Sequence, residues 1–171
     1  PVSGTGTAVS LTDDAMSGVK PIGFTFNFFG QDYTNFYICS NGFITFSPSM
    51  PANYIADVIP SITDPDNFIA LSWNDLNPQN AGSSISYFTT GISPNQMLIV
   101  KYNTSHFGGT SFPFVVQAIL YEGTNLVEIH TTTISDASAF DPGGTTTQGL
   151  ENADGSRGVP VPGRNGTIFS A

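Results

Sequence analysis

The stretch Gly23-Phe24-Thr25-Phe26-Asn27-Phe28-Phe29-Gly30, followed by Tyr37-Ile38-Cys39-Ser40-Asn41-Gly42-Phe43-Ile44-Thr45-Phe46, decides the fold class. Successive side chains of an extended chain point to opposite faces. Ile22, Phe24, Phe26 and Phe28 therefore share one face, and Gly23, Thr25 and Asn27 the other. One apolar face at a period of two predicts a half-buried strand. Asn41-Gly42 lies between two runs of aromatic and β-branched residues. It predicts a tight hairpin turn there, because Asn and Gly tolerate positive φ.

Working outward, strands are predicted at about 7–11, 21–29, 33–39, 42–47, 68–73, 85–89, 97–102, 112–121, 126–132, 147–150 and 167–170 by alternation and turn placement. Phe112 to Tyr121 is long enough for a helix, but Val115-Val116, its aromatics and the flanking glycines choose strand. Residues 48–67 hold Pro48, Pro51, Pro60 and Pro65 and no clean period. They predict a long loop with a short helical turn near Tyr54 to Val58. No apolar recurrence at helical spacing stands out anywhere. The expected fold is all-β, an antiparallel two-sheet β-sandwich, jelly-roll-like, with about ten strands.

The chain has 171 residues and carries charge on only 10% of them, for a net charge of -9. One domain of that size buries a core without disulfide or metal staples. The full positive charges are Lys20, Lys101, Arg157 and Arg164. They cannot form the basic stripe that phosphate backbones require, which excludes nucleic acid. The same deficit disfavours an anionic membrane surface, and no run approaches membrane-spanning length. An acidic, lysine-poor chain suits a module kept soluble outside the cell. Residues 1–171 read as a single module, with 1–6 linker-like. The start at Pro1 reads as a piece excised from a larger protein whose targeting signals lie elsewhere.

Cys39 is the single cysteine and falls in an apolar strand, where it reads as a small buried hydrophobe. The histidines are His106, in the polar loop Asn103 to Gly109 and expected to be solvated, and His130, two residues from Glu128 on one strand face. Nucleophilic catalysis needs a nucleophile beside a base, and no G-x-S-x-G elbow is present. Glu122, Glu128 and Glu151 do not form the alternating acidic motif of a jelly-roll glycosidase. The expectation is a chain that is not an enzyme, with the glycosidase as a remote alternative.

Calcium needs several oxygen ligands, which acidic loops can supply. Asp64-Pro65-Asp66-Asn67, Asn74-Asp75-Leu76-Asn77 and Asn152-Ala153-Asp154-Gly155 qualify, with Asp13-Asp14 as a fourth group. The competing reading is Asx-turn chemistry, in which these side chains bond nearby backbone groups. The metal candidates are Asp64, Asp66, Asp75 and Asn77, with Asp75 and Asn77 or Asp66 expected to meet across the Pro-rich loop. No cofactor is required; calcium is the one that these loops could take. Too few Cys and His are present for a structural zinc centre. Aromatics that could stack on a sugar are Tyr33, Tyr54, Trp73 and Tyr87, with core packing the competing role of Trp73. Tyr54, Trp73 and His106 are the ligand-binding candidates.

The motifs in order resemble the nidogen-type extracellular domain and its bacterial relatives. Gly23 to Gly30 is similar to F-x-F-x-F-Y/F-G. Ser40 to Phe46 is similar to S/T-N-G-x-I-x-F. Ile69-Ala70-Leu71-Ser72-Trp73-Asn74-Asp75-Leu76 resembles I-A-P-x-W-x-D-L, with Leu71 in place of Pro. Gln117 to Asn125 resembles Q-x-x-L-Y-E-G-T-N, and Gly149 to Gly155 resembles G-x-E-N-A-D-G. The series spans about residues 11–171. The resemblance implies a non-enzymatic interaction or adhesion module of a large secreted or cell-surface protein. Its partners would be an extracellular protein or glycan and neighbouring domains of the same chain, without membrane insertion. The alternative is a calcium-assisted carbohydrate-binding module.

Overall fold

The alternating stretch forms the longest hairpin of one sheet. β2 (Lys20–Phe28) buries Ile22, Phe24, Phe26 and Phe28 and turns the residues between them outward. It pairs with β3 (Gln31–Ile38), with Phe28 opposite Gln31. The two residues between them, Phe29 and Gly30, both take positive φ, 49° and 88°. That is the geometry of a tight two-residue hairpin turn, and it comes in addition to the turn expected at Asn41-Gly42, which also forms and is closed by Cys39 N donating to Phe43 O at 2.9 Å. The next connection, to β4 (Phe43–Thr45), uses the four residues 39–42, and of these Gly42 takes positive φ.

The computed structural model describes residues 1–136 and 144–171. The remaining strands are β1 (Thr7–Val9), β5 (Phe68–Trp73), β6 (Ser84–Thr90), β7 (Met97–Ser105), β8 (Pro113–Tyr121), β9 (Val127–Ile134), β10 (Thr147–Glu151) and β11 (Gly158–Pro160). They build a five-stranded sheet, β1-β6-β7-β8-β9, and a six-stranded sheet, β11-β10-β5-β4-β3-β2, with every pairing antiparallel. The fold is an open two-sheet sandwich, and no helix occurs among the described residues. The helical turn expected near Tyr54–Val58 does not form. The expected strand at 167–170 is reduced to one bridge, Thr146 to Thr167, with Ala171 bonded to Ile134. β11 was not expected, because Gly158 and Pro160 carry no strand signal.

The main core lies between the sheets. Phe24, Phe26, Phe28, Phe36, Ile38, Ile44, Ile69 and Leu71 meet Leu98, Val100, Tyr102, Phe114, Val116, Ala118 and Leu120. Each buried phenyl contributes about 1.5–3 kcal/mol by leaving water. Tyr102 carries a hydroxyl into this core, and it donates to the carbonyls of Cys39 and Phe43 at 2.8 and 2.9 Å. Residues 1–6 have no regular structure but are tied down. Val2 exchanges backbone bonds with the Gln117 carboxamide, and Lys101 donates to Gly4 O.

A second core lies on the outer face of the six-stranded sheet. Cys39, Phe43, Phe68, Ala70 and Trp73 pack there against Ala56 and Ile59. Ala56 and Ile59 belong to residues 46–67, the link from β4 to β5, here called the cover. β5 is consequently buried on both faces. A β-bulge puts Trp73 on the outer side. Leu71 N and Ser72 N both donate to Gly42 O at 3.0 Å, and the β10 register slips by one residue at the same place. The extra residue reverses the alternation, so Ile69 and Leu71 face inward while Phe68, Ala70 and Trp73 face the cover.

Candidate functional site

The cover is held by polar bonds that replace strand pairing. Trp73 Nε1 donates to Asn53 O at 2.8 Å, Thr147 Oγ1 to Asp57 O at 2.7 Å, and Asn41 Nδ2 to Ala52 O at 3.2 Å. Ser61 N donates to Glu151 Oε2 at 2.7 Å. Its exposed side chains include Asp57, Thr63 and Asp64 and four large apolar groups. Tyr54, Ile55, Val58 and Ile62 are 47%, 62%, 49% and 81% exposed. Beside Tyr54 opens a cleft of about 280 Å³, lined also by Ile55, Ala56, Asn74, Asp75 and residues 144–145. Asn74 is buried, and its Nδ2 donates to Thr145 O and Thr146 Oγ1.

Asp75, on the rim of that cleft, converges with Asp13 and Asp14: one carboxylate oxygen from each lies within 4.8 Å of the others. Oxygens that share one calcium ion, each bound at 2.3–2.6 Å, can stand up to about 5 Å apart, so the spacing suits a hard cation. Asp14 Oδ1 also accepts from Asn41 Nδ2 at 2.8 Å, and Asp13 N is held by the Gln79 carboxamide at 3.3 Å. Burial, and then the Asp14 charge, raise the Asp13 carboxyl above its usual range.

The expected meeting of Asp66 with Asp75 does not occur. Asp66 precedes β5 and Asp75 follows it, and a six-residue strand separates its ends by about 20 Å. Among the described residues, the three carboxylates that converge closely enough to share an ion are Asp13, Asp14 and Asp75, and Asp64 and Asp66 are outside that group. Asp64 is exposed. The Asn77 carboxamide accepts from Gln79 N at 2.8 Å, an Asx turn.

Of the ligand-binding candidates, Tyr54 alone is open to solvent. Trp73 is 1% exposed, because the bulge aims it beneath the cover against Phe43 and Phe68, with ring centroids 5.6 and 5.3 Å away. His106 is buried as well, not solvated. It bridges to Leu76, stacks edge-on with Phe112, and accepts from Gly108 N at Nδ1 at 3.0 Å. Tyr33 stacks on Phe46 and Tyr87 packs edge-on against Phe36.

The glutamates take structural partners in different elements. Glu122 accepts from Ser93 Oγ and Gln96 N, and Glu128 pairs with His130 at 2.9 Å on the solvent side of β9. The His130 contact holds the Glu128 carboxyl below its usual range. Glu151 is buried beside Asp66.

The two packed sheets, the cover and the ordered hairpin motifs define a nidogen-type β-sandwich. The chain belongs to the NIDO-related family, whose model matches residues 1–168. Domains of the nidogen type are typically extracellular. No curated protein and no solved structure matches the chain.

Proposed function

We propose that this chain is a non-enzymatic interaction module of a cell-surface or secreted protein, and that the outer surface of the cover is its contact face. The observation that carries this reading is the exposure of four large apolar side chains, Tyr54, Ile55, Val58 and Ile62, on one segment that is bonded to the sheet beneath. Exposed apolar groups clustered on a fixed scaffold favour burial against a partner. The test is binding of fluorescently labelled protein to intact cells and to immobilised extracellular matrix, alongside a variant carrying Ile55→Asp and Ile62→Asp. Binding that falls at least tenfold in the variant, with its unfolding midpoint unchanged, is the expected result. Equal binding by both proteins, or robust hydrolysis of polysaccharide or peptide substrates, would contradict the reading.

Calcium-assisted carbohydrate binding is the second reading. It is favoured by the convergence of Asp13, Asp14 and Asp75 at the cleft beside the exposed Tyr54 ring. Glycan-array binding that EDTA abolishes and Asp75→Asn removes is expected from it. A flat array in millimolar calcium counts against it.

A further inference from the structure

Glu151 is the one Asp or Glu among the described residues that the fold buries almost completely, at 1% exposure. It ends β10, opposite Phe68 of β5 and Gly158 of β11, neither of which can neutralise it. Its Oε2 accepts from Ser61 N of the cover at 2.7 Å. Its carboxyl also contacts that of Asp66, and Asp66 Oδ1 is buried with no N–H or other hydroxyl reaching it. Two ionised carboxylates are acceptors only, so a hydrogen bond between them requires a proton on one. The charged groups facing the pair add to that requirement. Asp57 and Asp64 approach from the cover and Asp154 from the turn after β10, all negative.

We propose that Glu151 and Asp66 share one proton and act as a latch that holds the cover on the sheet, and that loss of the proton lets the cover lift. Ser61 and Asp66 both belong to the cover, so one buried carboxyl group fastens it at two points. Burial, with the Asp66 and Asp57 charges, pushes the Glu151 carboxyl up to about 8. Once the cover lifts, Glu151 meets water and returns to the ordinary carboxylate range. Between that range and about pH 8, the closed state binds one proton more than the open state. Opening therefore becomes easier as pH rises through that window, by up to about tenfold per pH unit, and levels off above it.

Cys39 and Trp73 lie beneath the cover and serve as built-in reporters. The test is the labelling rate of Cys39 by a disulfide reagent from pH 5.5 to 9. Each rate is divided by that of the same protein unfolded in urea at the same pH, which removes the titration of the thiol itself. Trp73 emission is followed in parallel. The corrected rate of the wild type is expected to rise at least tenfold and then level near pH 8. Glu151→Gln keeps the acceptor for Ser61 and supplies a permanent donor to Asp66, and is expected to label slowly at every pH. Asp66→Asn supplies the donor from the other side and is expected to do the same, which keeps the test intact if one variant does not fold. A flat wild-type profile, or an unchanged rise in the variants, would overturn the proposal. So would closure of the wild type at pH 8.5 by millimolar calcium but not by EDTA-treated buffer, which would make the pair a cation site.

Discussion

The carboxamide of Asn165 holds both backbone groups of Ile59: Oδ1 accepts from Ile59 N at 2.7 Å, and Nδ2 donates to Ile59 O at 2.9 Å. A side chain thus does for the cover what a neighbouring strand does for a ladder residue. Ile59 itself is buried against the sheet, close enough to Gly158 that a Cβ there would stand 2.2 Å from Ile59 Cγ2. Asn165→Ala leaves two backbone groups without partners at a half-buried position. A loss of about 2 kcal/mol in urea unfolding is expected, together with faster proteolytic cleavage within residues 46–67.

Gly42 is the hinge of the bulge that places Trp73. Its φ is 80°, and a Cβ would lie 2.2 Å from Ser72 O, a backbone atom that cannot move aside without breaking the bulge. Gly42→Ala is expected to cost about 3 kcal/mol or more, combining left-handed strain with the clash. The loss is read from the unfolding midpoint. A change below about 0.5 kcal/mol would mean that the bulge is not fixed in this way.

Trp73 is the single tryptophan, so its emission reports the second core directly. It is expected to emit in the blue and to resist acrylamide quenching in the folded protein. Trp73→Phe keeps an aromatic ring but strands the Asn53 carbonyl, and is expected to cost about 1–3 kcal/mol.

Tyr102 joins the sheets through one hydroxyl shared by two carbonyls. Tyr102→Phe preserves the ring packing and removes the donor. A stability loss of about 1–2 kcal/mol in thermal or urea unfolding is expected.

The strand pattern was legible wherever one face meets the core and the other meets water, as in residues 20–28. The turn after it was not, because Phe29 at positive φ contradicts its own preference. Asn27 Oδ1 caps Gly30 N at 3.1 Å, and Phe29 rests edge-on against Phe28, which together secure a conformation that composition disfavours. The second core was illegible because the cover has no period: Ala56 and Ile59 face inward while Ile55, Val58 and Ile62 face water. The strand alternation that puts Trp73 inside fails at one bulge, and nothing local to Leu71-Ser72 announces it. The acidic constellations follow the same rule. Asp75 was recognisable as a candidate, but its neighbours come from the far end of the chain, since strand pairing sets the distance and sequence proximity does not. The buried state of Glu151 had no sequence signal beyond its place in the closing motif Gly149 to Gly155.

The claim on which the rest depends is that residues 46–67 form a fixed layer over the six-stranded sheet. Hydrogen–deuterium exchange at the amides of Ile59 and Ser61, each bonded to a side chain outside the cover, tests it most directly. Both are expected to exchange at least about a hundredfold more slowly than in the unfolded chain at pH 6. Exchange at unfolded-chain rates, with β5 still protected, would show that the segment does not rest on the sheet.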